Sequence, residues 1–203
     1  MRPAEQLQES GVTESIGSGA AAHLRFIRNT IEAAQTFTTV PGKGCIAMGI
    51  AAISASILEG IPSLAPHWLP IWLTAAVLSC AVALFFMEKK ARVQGLSLRR
   101  AVATRFFLTL APAFMAGGIL TVALTNTVGR EVIAGIWLML YGVGIAACGL
   151  FSIPIVLIAG FAFMGFGTVA LAAPTAWAPW LLGAGFGGVH LVLGSLIIRD
   201  HGG

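Results

Sequence analysis

His190 and Tyr141 are the two side chains whose type and position invite chemistry. Both fall inside long apolar stretches, where an ionisable or hydroxyl-bearing group is costly and marks either a function or a specific partner. An imidazole ionises near physiological pH, so His190 at the middle of an apolar helix can relay protons or hold a substrate. The structural alternative is a neutral imidazole bonded to a neighbouring helix. Tyr141 is the one tyrosine of the chain and lies at a similar depth. A buried phenol seeks a polar partner, and His190 is among the few on offer. The two are therefore expected to form a midplane polar pair.

Other candidates carry less chemistry. Arg105 sits one turn into an apolar stretch, where a long side chain reaches back to the headgroups. Glu59 and Glu131 fall at helix ends with no evident acid or base partner, and no Ser, His and Asp set shares one depth. Pro41-Gly42-Lys43-Gly44 lacks the frame of a phosphate loop. Cys45, Cys80 and Cys148 have no paired spacing and read as buried packing residues rather than disulfides or ligands. No catalytic residue, cofactor-binding residue or metal ligand is expected, and the chain does not read as an enzyme.

These residues require helices to hold them. The chain has 203 residues, 57% hydrophobic and only 10% charged, with a mean hydropathy of +0.89. A soluble domain has roughly 25% charged residues, so an ordinary globular protein is excluded. The expected fold is all-α, a polytopic bundle of six transmembrane helices preceded by a juxtamembrane amphipathic helix. The spans are placed at about 44–61, 68–87, 101–125, 132–151, 153–173 and 179–198, each near the roughly 20 residues that cross a bilayer. Together they make a transmembrane domain over 43–199. Residues 1–19 read as a disordered cytoplasmic tail, 20–42 as the amphipathic helix and its Pro-Gly turn, and 200–203 as a second cytoplasmic tail.

Charge sets the orientation. A cytoplasmic N-terminus puts eleven of the twelve Lys and Arg residues inside and only Arg130 outside, as the positive-inside rule requires. The topology determinants are Lys89, Lys90, Arg92, Arg99 and Arg100, both termini are cytoplasmic, and the membrane is the cell (inner) membrane of a bacterium. The net charge of +4 then reflects topology rather than nucleic-acid binding. Trp68, Trp72, Trp177 and Trp180 gather near the opposite interface, where an indole keeps its polar edge wet.

Glycine patterning suggests how the helices meet. Gly142 in the fourth span, with Gly183 and Gly187 as a small-xxx-small pair in the sixth, are candidate packing residues that let backbones approach. Such a pair serves internal packing or a homo-oligomer face. The stretch Phe114-Met115-Ala116-Gly117-Gly118-Ile119-Leu120-Thr121 resembles Phe163-Met164-Gly165-Phe166-Gly167-Thr168, which suggests three parallel two-helix hairpins.

Six spans built as hairpins, with Gly-rich inner helices and the turn Ala170-Leu171-Ala172-Ala173-Pro174, resemble the acid-resistance membrane proteins of the HdeD type. Phe37-Thr38-Thr39-Val40-Pro41-Gly42, directly before the first span, is similar to a motif of bacterial six-span inner-membrane proteins. These resemblances imply a membrane component without catalytic residues. The reading is a non-enzymatic accessory or stress-related component, with lipid, another membrane protein or a second copy of itself as partner. The alternative is a small-solute or proton-linked transporter with its pathway near Tyr141 and His190.

Overall fold

The computed structural model describes residues 23–24, 40–93 and 101–201. The expected tails, most of the amphipathic helix, Arg99 and Arg100 lie outside the described residues. The chain divides into two units, 1–35 and 36–203. In the first, His23 and Leu24 are helical and exposed. The second carries all that follows.

The second unit is helical, with six helices long and apolar enough to span a membrane. We label them α1 (Gly42–Gly60), α2 (Trp68–Val93), α3 (Ala101–Leu124), α4 (Arg130–Gly149), α5 (Pro154–Ala172) and α6 (residues 178–201). Their starts follow from proline and glycine. Pro41 caps α1 and its carbonyl accepts the Cys45 N–H at 2.9 Å, Gly129 caps α4, and Pro154 opens α5, where its missing N–H costs nothing. Pro112 stands inside α3, which continues through it. Short 3-10 turns at Ala65–His67 and Thr175–Trp177 lead into α2 and α6.

Two antiparallel pairs form the centre, and one device builds both. In α1, Gly42, Gly49 and Ser56 are seven residues apart; in α6, so are Gly187 and Gly194. A methyl at Gly42 would lie 2.8 Å from the Gly194 carbonyl oxygen, and one at Gly49 would lie 2.9 Å from that of Gly187. The same spacing recurs in Gly135, Gly142 and Gly149 of α4 against Gly160 and Gly167 of α5. There a methyl at Gly142 would lie 2.7 Å from the Gly160 oxygen, and one at Gly167 would lie 3.1 Å from the Gly135 oxygen. Glycine at each contact lets the backbones touch, which favours Cα–H to carbonyl contacts. Lipid gives no hydrophobic drive to helix association, so this packing supplies it.

The most extensive pairs are thus α4 with α5 and α1 with α6, neither of which is an expected hairpin. The two related stretches also sit differently. Phe163 of α5 is fully buried, whereas Phe114 of α3 is half-buried. The remaining helices attach to this centre. α3 docks on α4 where Trp137 lies over Gly117 and its Nε1–H donates to Thr121 Oγ1 at 2.8 Å. α2 packs against α1, with Phe86 beside Gly44. Val77, Leu84, Phe85, Leu108 and Val122 on α2 and α3 are exposed, as lipid-facing side chains of a spanning bundle would be.

Two expectations need correction. Cys80 is exposed on α2, unlike the buried Cys45 and Cys148, because α2 turns only a narrow face to the bundle. Glu59, expected at a helix end with no evident acid or base partner, is buried and accepts bonds from Trp72 and the basic Arg130. α2 and the start of α4 close over the end of α1 and supply those bonds.

Candidate functional site

Tyr141 projects from the middle of α4 and His190 from the middle of α6. The structure brings them together, with Tyr141 Oη 2.9 Å from His190 Nε2. The local backbone prepares this contact. Residues Gly183–Val189 form a π-helical segment immediately before His190. Wider turns of this kind are rare and need small residues where a neighbour presses close. Here Gly183 lies against Ser56, Gly187 against Ile53, and Gly185 against Leu138. The His190 N–H goes to Gly187 O, and the Phe186 carbonyl meets His190 Nδ1 at 2.6 Å.

That geometry assigns the tautomer. A carbonyl only accepts, so Nδ1 carries the proton and donates to Phe186. Nε2 of the neutral ring is then an acceptor, and the Tyr141 hydroxyl donates to it. Both imidazole nitrogens are satisfied. Around them stand Phe114, Phe163 and Phe186, with ring centroids 6.0, 4.9 and 5.2 Å from that of Tyr141. Phe163 also meets the imidazole edge to face at 5.1 Å. His190 itself is 5% exposed. A neutral hydrogen-bonded pair in an aromatic surround can lock α4 to α6; a proton path would require further polar groups beyond it.

The second polar cluster lies at the end of the bundle that carries Trp72. Glu59, whose side chain is 1% exposed, accepts from Trp72 Nε1 at 2.6 Å and from Arg130 Nη1 at 3.1 Å. Three helices are joined through one carboxylate. One turn earlier Ser56 Oγ donates to the Pro179 carbonyl at 2.8 Å, tying α1 to the start of α6. Glu131, next to Arg130, has a buried oxygen, Oε2, without a hydrogen-bond partner. Sequence reasoning missed this cluster, because Glu59, Trp72 and Arg130 come from three separate segments.

No family model matches the sequence, and no curated protein or solved structure is similar to it. Function must therefore be read from the sites alone.

The other candidates are placed as follows. Gly183 and Gly187 face α1 and Gly142 faces α5, so each sits at a contact within the chain. Lys90 Nζ donates to the Val40 carbonyl at 3.2 Å, which holds the far end of α2 to the approach to α1. Lys89 is exposed, and Arg92 pairs on the surface with Glu88, a contact of small energetic weight. Arg105 is exposed, with its guanidinium 5.9 Å from the Phe151 ring centroid. Among the described residues no group of three or more His, Cys, Asp or Glu side chains could hold a metal.

Proposed function

We propose that this protein is a non-enzymatic component of a bacterial inner membrane, with both termini cytoplasmic, whose six-helix body is a packed scaffold rather than a conduit. Its partners are membrane lipid and, through the lipid-facing helices α2 and α3, other membrane proteins. The supporting observation is the Tyr141 to His190 pair: at the depth where a transporter would keep its relay, each imidazole nitrogen is satisfied internally and the surrounding side chains are phenyl rings. Orientation rests on the distribution of Lys and Arg, with only Arg130 on the far side.

The test is water access at the pair. In a chain with Cys45, Cys80 and Cys148 replaced, single cysteines at 141 and 190 are exposed in sealed vesicles to a membrane-impermeant thiol reagent. The expected result is no labelling at either position, with a cysteine at exposed Pro66 reacting normally. Labelling at both would make the small-solute or proton-linked transporter the better reading.

A further inference from the structure

The end of the bundle that carries Trp72 holds a groove that the scaffold role does not use. Its volume is about 480 Å³, and its lining includes Pro62, Pro66, Trp68, Thr125 and Arg130. The two prolines have fixed φ and make stiff walls. Arg130 is the one charged residue among those lining it. Its side chain is 29% exposed, and among the described residues its ion pair is the single bond from Nη1 to Glu59. A guanidinium offers five N–H donors in a planar fork, of which the bond to Glu59 engages Nη1. The buried carboxylate, held in turn by Trp72, fixes the orientation of the fork. The groove lining itself contains no carboxylate.

We propose that this groove is a binding site for a phosphate-bearing lipid headgroup, with Arg130 as the oxyanion contact and Trp68 and the prolines as its walls. Arginine matches the geometry of a phosphate through paired N–H bonds. The groove lies at the end of the spans, where headgroups are, and an indole suits that boundary. Glu59 acts as a positioning residue. The proposal rests on the six-span reading but is independent of whether the bundle interior is dry.

The test uses the full chain purified in an uncharged, phosphate-free detergent. Its thermal midpoint is followed on adding dihexanoyl phosphatidylglycerol, dihexanoylglycerol or inorganic phosphate at equal concentration. The expected result is a rise with the phospholipid alone. Ala65→Trp, which fills the groove from a lining residue outside the ion pair, and the charge-neutral double variant Glu59→Gln with Arg130→Gln are each expected to weaken the apparent affinity at least tenfold. Should the double variant fail to fold, Ala65→Trp decides. The proposal is overturned by no rise, by an equal rise with dihexanoylglycerol, or by a phospholipid response unchanged in Ala65→Trp. An equal rise with inorganic phosphate overturns the lipid and assigns the groove to a soluble anion. None of these failures alters the thiol-labelling outcome, so the two readings fail separately.

Discussion

At the scale of single residues, buried polar groups are expensive, and Tyr141, His190, Ser56 and Glu59 each have a partner, whereas Glu131 Oε2 has none. Tyr141→Phe removes the donor to His190 Nε2 and leaves that nitrogen unsatisfied in an aromatic surround. A loss of about 1 to 3 kcal/mol is expected, measured as a lower unfolding midpoint in detergent. Adding His190→Leu to Tyr141→Phe should cost less than the sum of the two single changes, because the orphaned nitrogen is gone; additive losses would mean the two side chains do not interact. The same asymmetry governs the buried ion pair. Arg130→Gln strands the Glu59 carboxylate with only Trp72 as a partner, whereas Glu59→Gln leaves a partly exposed arginine. Arg130→Gln should therefore destabilise more, toward the roughly 3 to 5 kcal/mol of a broken buried pair, and the double variant should recover part of the loss. Tyr141 and His190 were legible from the sequence because a polar residue in an apolar run stands out. Glu59 was legible only as a charge, since Trp72 and Arg130 are brought to it by the fold.

At the scale of helices, glycine spacing decides the pairing. Gly49 and Gly142 sit where a methyl group would meet a backbone carbonyl oxygen, at 2.9 and 2.7 Å. Gly118 and Gly165 have nothing within 4 Å of the same position. Four alanine substitutions of identical chemistry should therefore split by sign. Gly49→Ala and Gly142→Ala force two helices apart and should destabilise by about 1 to 3 kcal/mol. Gly118→Ala and Gly165→Ala should be neutral or stabilising by about 0.5 to 1 kcal/mol, through helix propensity. Thermal unfolding of the four variants under one detergent condition checks this. The sequence showed that Gly142, Gly183 and Gly187 were packing residues in waiting. It did not show their partners, because a small-residue repeat fits any helix carrying the complementary repeat. Here α4 selects α5 and α6 selects α1, which carry glycine at the same seven-residue interval.

For the whole molecule, the consequence is a division between a glycine-bonded centre and two outer helices. α2 and α3 show most of their apolar side chains to the surroundings, a surface only lipid or another membrane protein would cover. The basic end carries Lys43, Lys89 and Arg199, and the opposite end Arg130. Fluorescent-protein fusions at either terminus should fluoresce and alkaline-phosphatase fusions should be inactive, as the proposed cytoplasmic termini demand; phosphatase activity at either terminus would reverse the proposed orientation. Neutralising Lys89, Lys90 and Arg92 together should produce a mixed topology, since these charges cluster at the basic end of the bundle.

Composition and hydropathy by themselves determined an all-helical chain with six helices long and apolar enough to span a membrane. Those properties follow from local free energies of transfer, which depend on each residue and its near neighbours. They also singled out Tyr141 and His190 by the cost of burying them. Only the tertiary structure decided which helices are partners, that Phe186 and Tyr141 share the two nitrogens of His190, and that Glu59, Trp72 and Arg130 form one cluster. All six helices are apolar enough to span a membrane, and hydropathy carries no information on which of them pair. The ranking comes from the close backbone approach at the facing glycines, which exists only once both helices are in place.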